Sequence, residues 1–386
     1  ATSAFATNGS AMIGMGAKTR GMGGVGIGVG HGAESALSNP ALITTIKADH
    51  EISFGGTLFM PSVEYTNGTG VTEESDADFF VIPSVSVANK VSDNFYWGVG
   101  MWGTGGLGVD YRDDAAFSHM DMVTSLQNMQ FGVPLVYTTN NFAIGITPIV
   151  QYTALDINYN AGGAGGWPGQ TGAGVADDVS LGYNIGLAYE TDGITIGAVY
   201  KSEIESDIKD VLNNAINAMG ATYDNSKIST PAEMGVGISY KMNEHTIAFD
   251  YKRILWEDAE TYKDFGWEDQ NVYAVGYEYA TDGWALRAGY QYAKGAVQDN
   301  TGKGLALDAG MFGDGLTNTF NALGFPGTQE SHITLGGTYV FNETLSLDLA
   351  AVFGLENKET FAGMMGSTIE NKHSEQSYSV QLNYAF

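Results

Sequence analysis

The last nine residues, Tyr378 to Phe386, read YSVQLNYAF and restrict the fold more than any other stretch. Side chains alternate between the two faces of a strand. Tyr378, Val380, Leu382, Tyr384 and Phe386 therefore share one face, and Ser379, Gln381, Asn383 and Ala385 share the other. The apolar face carries aromatics at both ends. A strand with hydrocarbon on one side and a polar interior on the other has this pattern, with the aromatics at the membrane interfaces.

The alternation recurs after residue 50. Fourteen runs are strand-like, near 50–60, 78–89, 94–104, 130–138, 141–157, 178–190, 193–204, 231–241, 244–256, 270–280, 283–294, 331–341, 344–356 and 375–386. In one of them Trp284, Leu286, Ala288, Tyr290 and Tyr292 oppose Ala285, Arg287, Gly289 and Gln291. The connections alternate between six short polar turns and seven long segments, roughly 61–77, 105–129, 158–177, 205–230, 257–269, 295–330 and 357–374. Short periplasmic turns and long external loops are the outer-membrane arrangement. These features predict an all-β chain: a 14-stranded antiparallel transmembrane β-barrel over residues 46–386, with both ends of the barrel at the periplasmic side. Residues 1–45 are rich in Gly, Ala and Ser and too irregular for a strand. They are expected as a separate hatch that fills the lumen.

Composition removes several functions. The chain has no cysteine, which excludes disulfide scaffolds, thiolate metal sites and cysteine nucleophiles. Its formal net charge of −27 argues against nucleic acid as a partner. No stretch reaches the roughly 18 consecutive apolar residues of a membrane helix. A chain that starts at Ala1 without an apolar leader reads as mature and processed. The acids cluster in expected loops: Glu73, Glu74, Asp76 and Asp78; Asp110, Asp113, Asp114 and Asp121; Glu203, Glu205, Asp207 and Asp210. They read first as a solvated exterior and second as ligands for divalent cations bridging to lipid phosphates.

Enzyme motifs are weak. Gly21-x-Gly23-x-x-Gly26 matches a dinucleotide fingerprint literally but lacks the strand, helix and acidic residue that the fingerprint requires. The six histidines show no metal-binding spacing. The nearest thing to a catalytic group is His119 with Ser118 and Asp121, a small prospect for a rim enzyme. No enzyme activity, metal or cofactor is expected.

Other residues bear on passage through the barrel. Glycines crowd 98–108, and Gly100, Gly103, Gly105 and Gly106 are candidates for a break in the ladder that opens the wall. Met120, Met122, Leu126 and Met129 lie near helical spacing in the 105–129 segment. Leu212 and Ile216 share a face with Ile208 on a helix-like stretch of the 205–230 loop. These six are candidates for a ligand entrance, or else pack the loops onto the rim. Lys201, Asp250, Lys252, Glu278 and Arg287 are candidate lumen charges. They form an internal salt-bridge network or include a cation for an anionic headgroup.

With these residues in place the chain resembles the FadL-type outer-membrane transporters of long-chain fatty acids and other hydrophobic compounds. The resemblance spans essentially the whole chain. It rests on the Gly-rich segment leading to Ser38-Asn39-Pro40-Ala41-Leu42, the run Gly98 to Tyr111, Leu181-Gly182-Tyr183-Asn184, Tyr200-Lys201-Ser202-Glu203, Thr230-Pro231-Ala232-Glu233 and Leu286-Arg287-Ala288-Gly289-Tyr290. It implies a hatch marked by Asn39, Pro40 and Ala41. It also implies apolar sites between the external loops and the hatch, and a kinked third strand through which ligand leaves sideways into the outer leaflet. The implied partners are fatty acids, hydrocarbons or detergent-like lipids and outer-membrane lipid, and the implied state is a monomer. Tyr152-Thr153-Ala154-Leu155-Asp156 lacks the basic residue pictured in the fifth strand of fatty-acid members, which weakens the case for a carboxylate headgroup. A general porin for polar solutes is the alternative.

Overall fold

In the computed structural model, residues 8–112, 118–309, 312–313 and 315–386 are described. Asp113 and Asp114, and the first seven residues of the expected hatch, lie outside the described residues.

Fourteen long antiparallel strands form the wall. They are β1 His50–Thr66, β2 Phe80–Lys90, β3 Phe95–Asp110, β4 Val123–Gly132 continuing as Leu135–Thr139, β5 Phe142–Asn160, β6 Ala176–Thr191 and β7 Ile194–Lys201. The remainder are β8 Glu233–Met242, β9 His245–Ile254, β10 Gln270–Ala280, β11 Trp284–Ala293, β12 Ser331–Val340, β13 Leu345–Ala362 and β14 Thr368–Ala385. The wall closes where β1 pairs with β14, from Glu51 opposite Ala385 to Thr66 opposite Glu370. Phe386 completes the seam, exchanging backbone hydrogen bonds of 2.9 and 3.0 Å with His50. Closure removes the unpaired edges that hydrocarbon would not tolerate.

On β14, Tyr378, Val380, Leu382, Tyr384 and Phe386 are exposed on the outer face, while Ser377, Ser379, Gln381 and Asn383 are buried inside. The outer face repeats this around the wall, with Phe54, Ile144, Ile238, Phe249, Val275 and Leu335 all exposed.

Two sequence expectations change. The third strand does not end near residue 104 but continues to Asp110, and the fourth starts at Val123 rather than 130. The segment 105–129 is therefore largely paired wall, with Leu107 opposite Leu126 and Gly103 opposite Met129. Val133 and Pro134 interrupt β4, because proline cannot donate to a ladder. The last external connection also shrinks, since β13 runs to Ala362 and β14 begins at Thr368. The stretch in the 205–230 loop forms helix α3, Val211–Ala218. A second loop helix, α4 Leu316–Gly324, had no strong sequence signal.

Residues 8–45 lie inside the barrel as short turns, including α1 Ala17–Gly21 and α2 Ser35–Ser38. Asn39 caps the turn Pro40–Thr45 by accepting from the Ala41 N–H at 3.1 Å, with Pro40 in the first helical position, where its missing N–H costs nothing.

Candidate functional site

The lumen has a polar floor, a break in one wall and an apolar mouth. The floor is the seat of the N-terminal segment. The carboxylate of Asp250 on β9 accepts from the backbone N–H groups of Gly26 (2.7 Å), Ile27 (2.8 Å) and Gly28 (3.2 Å). A carboxylate that takes several amides makes strong, charge-assisted bonds. The Asn39 amide donates to Ile27 O at 2.9 Å and to Leu187 O on β6 at 3.0 Å, tying segment and wall together. Glu34 accepts from Thr19 N at 2.8 Å and from Gln381 Nε2 at 2.7 Å, and Glu51 accepts from Ala33 N at 2.9 Å. Glycine on the wall allows this approach: a Cβ at Gly289 would overlap Gly23, and one at Gly197 would overlap the Ile27 carbonyl.

Of the candidate lumen charges, Lys201, Lys252, Glu278 and Arg287 are in ion pairs, whereas Asp250 holds backbone amides of the N-terminal segment. Glu233 bridges Lys201 at 2.9 Å and Lys252 at 3.3 Å. Arg287 binds Glu278 at 2.7 Å and approaches Asp348 at 3.6 Å, with Lys18 on the other side of Asp348 at 3.7 Å. Each cation thus has a carboxylate within reach, as buried charge requires.

The wall break lies between β2 and β3. Their ladder runs from Lys90 opposite Tyr96 to Ser84 opposite Trp102 and ends there. Beyond that point β3 pairs with β4, with a register shift between Gly103 and Gly105 that leaves Thr104 as the extra residue. Its free edge is taken by the N-terminal segment: Gly106 donates to Ser10 O at 2.9 Å and Met12 donates to Thr104 O at 3.2 Å. Met12 then packs with Phe59, Ala77, Phe80 and Ile82 in a small apolar cluster at the break. Towards the exterior, Asp76 N donates to Asp110 O at 2.9 Å and closes the opening. Of the candidate glycines, Gly103 and Gly105 flank the shift, Gly106 carries the bond to Ser10, and Gly100 gives room to the Trp102 ring folded over it.

The turn that delivers Ser10–Met12 is clamped from above. Trp256, Tyr262 and Trp267 meet with ring centroids 4.7, 4.9 and 4.6 Å apart, and a Cβ on Gly9 would strike the two tryptophans. The indoles are fixed by Gln270 (2.9 Å) and Asn321 (3.0 Å). Burial pushes the Tyr262 phenol up to about 12, so it stays a neutral donor to Ser10 Oγ at 3.4 Å.

The mouth is a cavity of about 490 Å³ between the external loops. Its wall includes Tyr65, Met120, Trp167, Leu323, Met364 and Ile369, and none of its described lining residues is charged. Trp167 stacks on Phe312 at 4.6 Å. Of the six entrance candidates only Met120 lines this cavity. Met122, Leu126, Leu212 and Ile216 are packed in the apolar core beneath it. Met129 belongs to the outer face, opposite the exposed Tyr152 and two residues from the exposed Phe131. The near-helical spacing joined two methionines of the preceding turn, Met120 and Met122, to a strand that carries Leu126 and Met129. The residues missed from sequence are Met12, Trp102 and Trp167, which no period or spacing marked. His119 is fully buried, with Nε2 2.8 Å from Tyr65 O and Nδ1 2.9 Å from Ser118 Oγ, enclosed by the rings of Tyr65 and Tyr111.

A closed barrel with a lipid-facing apolar surface, a filled lumen and an apolar mouth is the architecture of an outer-membrane protein. The chain belongs to the family described as "Outer membrane protein transport protein (OMPP1/FadL/TodX)", which matches residues 1–386. The long-chain fatty acid transport protein of Escherichia coli O6:H1 is 23% identical over 432 residues, covering 94% of this chain and 92% of the relative. A 47 kDa outer membrane protein of Pasteurella multocida is 22% identical, covering 94% and 92%. Among solved structures, the P. putida toluene transporter TodX superposes with a TM-score of 0.71 at 19% identity, covering 97% of this chain and 99% of that one. A Pseudomonas aeruginosa FadL homologue gives 0.75 at 15%, covering 98% and 100%. These structures show the shared fold, and the family places the chain in the bacterial outer membrane.

Proposed function

We propose that the protein takes hydrophobic molecules from the medium into the apolar mouth and releases them sideways through the break between β2 and β3. In this reading residues 1–45 act as the hatch, the partners are apolar small molecules and outer-membrane lipid, and the protein works as a monomer. One observation carries the reading. The β2–β3 ladder stops at Ser84 and Trp102, and beyond it an apolar cluster centred on Met12 stands where wall would be. An apolar solute gains little from an aqueous pore but about 25 cal/mol per Å² on leaving water. The relatives point the same way: the Escherichia coli O6:H1 relative is called a long-chain fatty acid transport protein, and TodX is called a toluene transporter.

Ala77→Trp, which adds bulk inside the break, tests the route. Hydrocarbon uptake by cells should fall about tenfold or more while the barrel still folds. Undiminished uptake with the indole in place counts against a lateral exit. A large steady conductance of the unaltered protein in planar bilayers would favour the porin alternative.

A further inference from the structure

The wall has a second irregularity, far from the first in sequence. The register of β13 against β14 shifts between Gly354 and Asn357. Gln329 donates to the Leu355 carbonyl inside this bulge at 2.6 Å. Bulges concentrate at functional places because they re-aim side chains.

Beside the bulge lies a sealed group of titratable side chains that the transport reading does not use. His332 on β12 places Nε2 2.9 Å from Glu375 Oε1, and His373 on β14 places Nε2 3.8 Å from Glu375 Oε2. The three side chains are 0%, 2% and 1% exposed. From the hatch comes Arg20, also buried, which donates to Gly14 O at 3.3 Å and to Ser377 Oγ. Burial pulls the Arg20 guanidinium down to about 10 and the Glu375 carboxylate opposes this, so Arg20 is charged at neutral pH. Within the group Arg20 Nε, Gln329 Oε1, His332 Nδ1 and Glu375 Oε2 have no protein hydrogen-bond partner. Unpartnered polar atoms this deeply buried mark a place where charge and hydrogen bonding are poised rather than settled.

The group is adjacent to the hatch's own anchors. Two residues along β12 from His332, Thr334 Oγ1 accepts from Gly23 N at 2.8 Å and donates to Gly21 O at 3.1 Å. Two residues along β14 from Glu375 is Ser377, the wall partner of Arg20.

We propose that His332, His373 and Glu375 form a proton-binding site that sets how firmly the hatch is held, with proton uptake on acidification releasing the turn that carries Arg20. The proposal rests on the reading of the N-terminal segment as a hatch. At neutral pH the charges of Arg20 and Glu375 offset each other. A proton added to either imidazole leaves an excess positive charge in the group that holds Arg20, and one added to Glu375 leaves Arg20 without its counter-charge, in both cases where water is excluded. Histidine is the side chain whose charge changes in the physiological range. Strands locked into a closed barrel cannot move away, whereas a five-residue turn can. A state in which the Arg20 turn has moved off escapes this repulsion, so protonation of the site, and with it a lower pH, populates that state. The direction is a hatch held firmly at neutral pH and loosened in acid.

Other carboxylates also hold the hatch: Asp250, Glu34 and Glu51, together with Asp348 opposite Lys18. The test separates them. Amide hydrogen exchange of the full-length protein in lipid nanodiscs is followed at residues 17–24 at about pH 7.5 and 5, with correction for intrinsic exchange. The unaltered protein should lose about tenfold or more of its protection in acid, the effect of one pK unit of coupling. The double variant His332→Gln/His373→Gln should keep the neutral-pH protection and lose no more than about twofold in acid, on the same scale. An equal acid response in the double variant assigns the effect to the carboxylates and overturns the proposal, as does no response in the unaltered protein. If the double variant does not fold, each single variant is expected to keep only part of the response, and a full response in both overturns the proposal. Hydrocarbon uptake at neutral pH is measured alongside. Its loss in the Ala77→Trp protein is independent of the exchange result, so the two readings fail separately.

Discussion

The floor and the mouth of the lumen are built from opposite materials. On the floor, backbone amides of the N-terminal segment meet carboxylates, amides and hydroxyls of the wall, with Asp250, Asn39 and Thr334 as the main anchors. At the mouth, a cavity of about 490 Å³ has no charged described residue, and the core under it is aliphatic and aromatic. Hydrogen bonds are directional and hold one arrangement. Apolar contact is adaptable and accepts many shapes, as the methionines at the rim suit. On the proposed reading, the contrast means that the same barrel seals itself by geometry below and gathers ligand by solvation above. The β2–β3 break sits where the two meet, since Ser10 and Met12 belong to the polar segment by backbone and to an apolar cluster by side chain.

Attacking the floor should have the largest effect. Asp250→Ala leaves three buried amides without an acceptor, at about 1–3 kcal/mol each. The segment should unseat, and planar-bilayer recordings should show sustained conductance absent from the unaltered protein. A silent variant would mean the floor is not what closes the lumen.

Attacking the mouth should change capture and leave the seal intact. Trp167→Ala removes the ring stacked on Phe312 and should lower uptake severalfold at low ligand concentration, by about the 0.5–1.5 kcal/mol of an aromatic pair. No conductance should appear. If Trp167→Ala opened a current, the separation of floor and mouth would be lost.

The smallest effect concerns charge. The external connection 255–269 carries Glu257, Asp258, Glu260, Asp264, Glu268 and Asp269 against Lys263. A carboxylate-bearing solute approaches against this field, and a neutral hydrocarbon does not. Raising ionic strength from about 10 to 150 mM, which shortens screening from about 30 to 8 Å, should speed uptake of the anion two- to threefold and leave the hydrocarbon unchanged. Equal responses would place a compensating cation at the mouth.

Much of the wall was legible because period-two alternation survives wherever one face meets hydrocarbon. Trp284 to Tyr292 and the closing strand to Phe386 read directly. β4 did not, because Val133-Pro134 interrupts it and the methionines of the turn before it, together with its own Leu126 and Met129, mimic helical spacing. The lumen charges were legible as residues but not as pairs. That Glu233 serves both Lys201 and Lys252 depends on the register of β7 and β9 against β8, which puts Lys201 opposite Glu233 and Lys252 two positions along, a relation set by strand pairing and not by local sequence. Met12 was invisible for a related reason: its role comes from where the segment lies, and a glycine-dense stretch carries no period. The Asn39-Pro40-Ala41 motif was marked by the family resemblance, whereas the capped turn it forms was not read from the sequence.

The lateral exit is tested most directly by tying the break shut. The chain has no native cysteine, so Met12→Cys/Phe80→Cys can be joined by a short bis-maleimide containing a cleavable disulfide, across a cluster in which both residues pack. With the link intact, hydrocarbon uptake should fall by at least about tenfold, equivalent to 1.4 kcal/mol or more, and reduction of the linker should restore it. Uptake that continues at the unaltered rate with the link demonstrably intact would contradict a route between β2 and β3.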